Sequence, residues 1–126
     1  MDDLAVLHSG LAGYVRAVAE AVGVPPEGTG HEVSDTATAY LALAEGTGDP
    51  LMLLWSEWRG WSIAVETGPA EPAVVVAHLG APLVPEPAAV ARFVRAVLAG
   101  GRGDPEPDFR ADDRGALARS LVGYAG

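Results

Sequence analysis

Residues 53–66, LLWSEWRGWSIAVE, constrain this chain more than any other stretch. Apolar and aromatic residues flank the dipeptide Arg59-Gly60 on both sides, the pattern of two half-buried strands joined by a tight hairpin. A two-residue turn there predicts a definite pairing: Trp58 with Trp61, Glu57 with Ser62, Ser56 with Ile63, Trp55 with Ala64 and Leu54 with Val65. One face then carries Trp58, Trp61, Ile63, Leu54, Val65 and Met52 and is the natural core. The opposite face carries Trp55, Leu53 and Leu51, mixed with Glu57, Ser62 and Glu66. A four-residue loop would change the pairing, and the face assignment would have to be redone.

The flanks extend this hairpin into a sheet. Residues 37–45, 51–57, 61–67 and 73–79 each read as a strand, with turns at 46–50 and 68–72. Successive short connections predict an antiparallel meander of about four strands. Residues 4–22 place Leu4, Leu7, Leu11, Tyr14, Val15, Val18 and Val22 at helical spacing, and Gly23 followed by Pro25-Pro26 ends that helix. Gly10 and Gly13 inside it are best explained by close packing against another element. Residues 24–34 read as a polar loop. A second helix begins at Pro87 and presents Val90, Phe93, Val94, Val97 and Leu98 before Gly100-Gly101. The expected fold is α+β: an antiparallel sheet with N- and C-terminal helices packed mainly on one face. Residues 1–100 form that domain. Residues 101–126 read as a Gly/Pro/Asp-rich linker and a short last helix, capped by Asp112 or Asp113.

Composition narrows the chemistry. All eight basic residues are Arg, and Cys and Lys are absent. This excludes Schiff-base enzymes, thiol nucleophiles, disulfides and thiolate metal sites. A formal charge of −9 opposes binding to nucleic acid or an anionic membrane. Ala and Val dominate the apolar residues, a bias typical of GC-rich bacterial genomes, so the few large side chains matter more than usual. No apolar run approaches the roughly 20 residues that span a bilayer. The acidic N-terminus is unlike a signal peptide, and the expected location is the cytoplasm.

Few residue patterns suggest catalysis or metal binding. His8, His31 and His78 fall in a helix, a loop and a strand, without the spacing of a zinc pair, and no metal or other cofactor is expected. His31, Glu32, Ser34 and Asp35 lie close in sequence but lack a nucleophile-elbow motif. Asp104, Glu106 and Asp108 alternate like the start of a calcium loop, but Phe109 stands where glycine is required. No catalytic residue is assigned.

The runs EVSDTATAYLAL (32–43), LMLLWSEWRGWSIAVETG (51–68), VVVAHLG (74–80) and VPEPAAVARFVRAVL (84–98) resemble a family of small actinobacterial, Streptomyces-like proteins that forms a domain of unknown function. The resemblance spans roughly residues 10–100, with Trp55, Trp58 and Trp61 at its centre. It implies a compact cytoplasmic domain and supplies no catalytic residues.

Two functions follow as expectations. The first is a non-catalytic protein-interaction or regulatory module, homodimeric or bound to another protein. Its surface would be Trp55, Leu53 and Leu51, rimmed by Glu57, Ser62, Glu66 and Arg59. The acidic balance favours a basic partner. The second is a small-molecule-binding protein or accessory enzyme of the cyclase or isomerase type. Its pocket would be lined by Tyr40, Trp58, Trp61 and Phe93, with His78 or a carboxylate as the polar group. Against both stands ordinary core packing of the tryptophans.

Overall fold

The computed structural model describes residues 3–43, 50–65, 74–109 and 114–124. The expected turns at 46–49 and 68–72, Glu66 and the caps Asp112 and Asp113 lie outside these residues. Helix α1 (Asp3–Val22) buries Leu7, Leu11, Tyr14, Val15 and Val18 along one stripe. It ends as the sequence predicts. Gly23 adopts φ +93°, and the N–H groups of Gly23 and Val24 both donate to Ala19 O at 2.8 Å.

Among the described residues five strands follow: β1 (Thr29–Val33), β2 (Ala37–Ala42), β3 (Leu51–Ser56), β4 (Gly60–Val65) and β5 (Val74–His78). They form one antiparallel meander in the order β1-β2-β3-β4-β5. The α+β class and the helix placement are as expected; the strand count is five rather than four. The additional strand is β1, which lies in the segment read as a polar loop. Its sequence TGHEV has one aliphatic residue, because β1 is a sheet edge and has little to bury.

Helix α2 (Pro87–Leu98) buries Val90, Ala91, Phe93 and Val94, and α3 (Arg114–Leu121) buries Leu117, Ala118 and Leu121. These residues, the α1 stripe and one face of the sheet form a single core cluster. α3 and the following 3-10 turn, Val122–Tyr124, cross α1 at its two interior glycines. A Cβ on Gly10 would stand 2.8 Å from Leu121 Cβ, and one on Gly13 would stand 1.8 Å from Tyr124 O. The close packing expected of these glycines is therefore with the last helix.

The hairpin register differs from the two-residue turn. Glu57, Trp58 and Arg59 form a three-residue loop, and Ser56 pairs with Gly60, which adopts φ +66°. Trp55 pairs with Trp61, Leu54 with Ser62, Leu53 with Ile63 and Met52 with Ala64. The shift is an odd number of residues, so every β3 side chain changes face relative to the prediction. Trp55 and Leu53 join Trp61 and Ile63 in the core; Leu54 and Met52 take the opposite face.

The segment expected as a flexible linker is tied down. Asp104 N donates to His78 O at 2.7 Å, forming a bridge beside the end of β5. Phe109 N donates to Trp58 O at 2.9 Å, and a Cβ on Gly60 would meet the Phe109 ring at 2.9 Å. Residues 104–109 thus form a strap from the β5 edge to the β3–β4 turn.

Candidate functional site

Trp55 and Trp61 are each 1% exposed, which corrects the expectation that Trp55 anchors an accessible surface. Their indole N–H groups are satisfied inside the fold. Trp55 Nε1 donates to Leu83 O at 2.9 Å, and Trp61 Nε1 donates to Tyr14 Oη at 3.0 Å. Tyr14 Oη in turn donates to Pro85 O. This relay fixes α1 and the approach to α2 against the sheet. Burial pushes the Tyr14 hydroxyl well above its ordinary pKa, against the opposing effect of the bond from Trp61.

Glu57 and Arg59 are occupied rather than poised as a rim. Glu57 is 1% exposed, and its Oε1 accepts from Ala37 N and from Arg114 Nη2, both at 2.7 Å. Arg114 Nη2 also donates to the carbonyls of Ser34 and Asp35, at 2.8 and 3.0 Å. One cation therefore joins the β1–β2 turn, the β3–β4 turn and α3. Arg59 pairs with Glu106 at 3.0 Å and Asp108 at 3.5 Å, and donates to Pro107 O at 3.1 Å. Sequence reasoning missed Arg114, which stands 57 positions from Glu57 and has no motif around it.

The residues expected to line one ligand pocket do not meet. Trp61 and Phe93 belong to the core, Trp58 lies exposed on the turn, and Tyr40 points to the other side of the sheet. Leu51 is half-buried against the core cluster.

The face opposite the helices carries two cross-strand rows. One runs Tyr40–Leu54–Ser62–His78, the other Ala42–Met52–Ala64–Val75. None of these eight residues belongs to the core cluster. Val75 is 44% exposed, and its neighbours Val74 and Val76 are also exposed. Thr38, Leu54, Ser56, Ser62, Val75 and His78 line a hollow of about 270 Å³ on this face. His78 Nδ1 is buried without a hydrogen-bond partner among the described residues. Among the described residues, no group of three or more His, Asp or Glu could hold a metal ion. No described helix is long and apolar enough to cross a membrane.

A family model described as a family of unknown function, DUF6292, matches residues 14–96. The chain belongs to this family. The DUF6292 match starts at Tyr14 and ends inside α2, so it contains the Trp61–Tyr14–Pro85 relay and the whole sheet. The strap, α3 and Arg114 lie beyond the DUF6292 segment. No curated protein matches the chain, and no solved structure matches it.

Proposed function

We propose that the chain is a non-catalytic protein-interaction module that forms a homodimer through the helix-free face of its sheet. The observation that supports this is the apolar pair of rows built on Tyr40, Leu54, Met52 and Val75, which contribute nothing to the core. Antiparallel sheets with one solvated face ordinarily alternate apolar-in with polar-out; here both sides of β3 are apolar. Two copies of a chain with charge −9 repel, so their contact must be free of like charge. The two rows themselves contain no carboxylate and no arginine, and the charges that border the hollow beside them, Arg59 and Glu106, are paired with each other. The Ala- and Val-rich composition supports an actinobacterial setting for such a module.

A second reading is a small-molecule-binding protein or accessory enzyme. The hollow lined by Thr38, Ser56, Ser62 and His78 favours it. Its volume falls just under the roughly 300–1,000 Å³ of ordinary ligand pockets, which limits the reading to a small occupant. Native mass spectrometry of the chain purified from its own host separates the two. A dimer without added mass supports the interaction module. A monomer carrying removable small-molecule mass overturns it in favour of the ligand reading.

A further inference from the structure

A separate feature lies on the other side of the molecule, between α1 and the sheet edge β1. There a groove of about 660 Å³ has Ala12, Val15, Ala19 and Val24 as its apolar floor. Arg16 and Glu20 from α1, and His31 from β1, stand on its rim. We propose that this groove receives an extended, basic segment of a partner protein, which adds to β1 as a sixth strand.

Two independent observations support a strand as the occupant. First, among the described residues β1 pairs only with β2, so alternate backbone N–H and C=O groups along its outer side lack a described ladder partner. Within Thr29–Val33, the non-ladder backbone bond is that of Thr29 N to Pro26 O, at the strand's first residue. Second, the groove runs directly beside that unpaired edge and is floored by small side chains. An added strand alternates its side chains, so those facing α1 would enter the groove while its backbone bonded to β1. The floor residues from Ala12 to Ala19 cover about 10 Å of helix, room for roughly three strand residues.

Charge decides what kind of segment fits. Glu20, Glu27 and Glu32 surround the edge, and none has an ion-pair partner among the described residues. Against them stands Arg16 on the groove itself; Arg114, at the β1–β2 turn, is already paired with Glu57. With the chain's overall charge of −9, this local excess favours a segment bearing Arg or Lys on its solvent-facing positions. The same carboxylates disfavour a second copy of the chain, because pairing β1 with its own equivalent would bring like charges together.

The probe is a synthetic heptapeptide selected from a randomised heptapeptide library on the immobilised full chain. The selected sequences are expected to alternate Val, Ile or Leu with Arg or Lys. Titrated into isotope-labelled full chain, the peptide should shift the backbone amides of β1 and of α1 between Ala12 and Glu20. Methylating alternate backbone nitrogens of the peptide keeps its side chains and should weaken binding about tenfold or more. Replacing its basic residues by Glu should weaken it comparably at low salt. The proposal is overturned if selection yields no binder, or if the shifts fall on the Tyr40–Leu54 face. Equal binding by the methylated or acidic peptide overturns it as well. So do β1 shifts that appear with protein concentration alone in the Leu54→Glu variant, whose helix-free face is blocked, since they would assign the edge to a second copy.

Discussion

Arg114, in the last helix, donates to the buried carboxylate of Glu57, in the β3–β4 turn, at 2.7 Å. The Glu57 side chain is 2% exposed and that of Arg114 32%. A buried carboxylate that loses its cation keeps its desolvation penalty, so removing the partner costs more than the pair is worth. Arg114→Ala is expected to lose about 2–3 kcal/mol of stability, measured by urea unfolding. An unchanged midpoint would mean that water serves Glu57 equally well.

Tyr14 makes a pH prediction. Its folded pKa is raised above its unfolded value of about 10, so the folded state holds the proton more tightly. The corresponding stability is present below about pH 10 and is lost as pH rises toward the folded pKa, at up to ~1.4 kcal/mol per pH unit. Tyr14→Phe should remove this alkaline slope. It also leaves the Trp61 N–H and the Pro85 carbonyl unpaired, costing about 1–3 kcal/mol at neutral pH. Unfolding curves across the alkaline range check both effects; an unaltered slope in the variant would assign it to other groups.

Trp55, on β3, and Trp58, in the β3–β4 turn, should behave oppositely. Trp55→Ala empties a core site and should cost about 3–5 kcal/mol. Trp58 is 41% exposed, and its ring N–H reaches Thr36 Oγ1 only at 3.4 Å, so Trp58→Ala should cost under about 1 kcal/mol. Parallel denaturation of the two variants tests the register directly, since the two-residue turn predicts the reverse ranking.

Gly13→Ala separates local propensity from packing. Helix propensity alone predicts a gain of about 1 kcal/mol. The added Cβ would stand 1.8 Å from the Tyr124 carbonyl oxygen, so α1 and the C-terminal turn must move apart. Thermal unfolding should show destabilisation; a raised midpoint would show that the C-terminal turn is not held against α1.

Much of the architecture was legible because it rests on local pattern. The stripe from Leu7 to Val18, the stop at Gly23, the start at Pro87 and four of the five strands follow from periodicity and turn residues. Gly10 and Gly13 announced a close neighbour without saying which. β1 escaped because an edge strand needs little hydrophobicity, and Thr29–Val33 offers only one aliphatic side chain. The exposed surface was misplaced for a different reason. WRGW fits a two- or a three-residue loop equally well, and that choice alone decides whether Trp55 or Leu54 faces the helices. Arg114 and the strap were hidden because their contacts join positions far apart in the chain. Nothing in a charged or Pro-rich segment indicates which turn it will reach.

The central functional claim concerns the helix-free face, and sedimentation velocity tests it most directly. The wild-type chain is expected to sediment as a dimer at micromolar concentration. Leu54→Glu and, at the more exposed position, Val75→Glu should each give a monomer with unchanged circular dichroism. A wild-type monomer, or a dimer that survives both substitutions, would contradict the account.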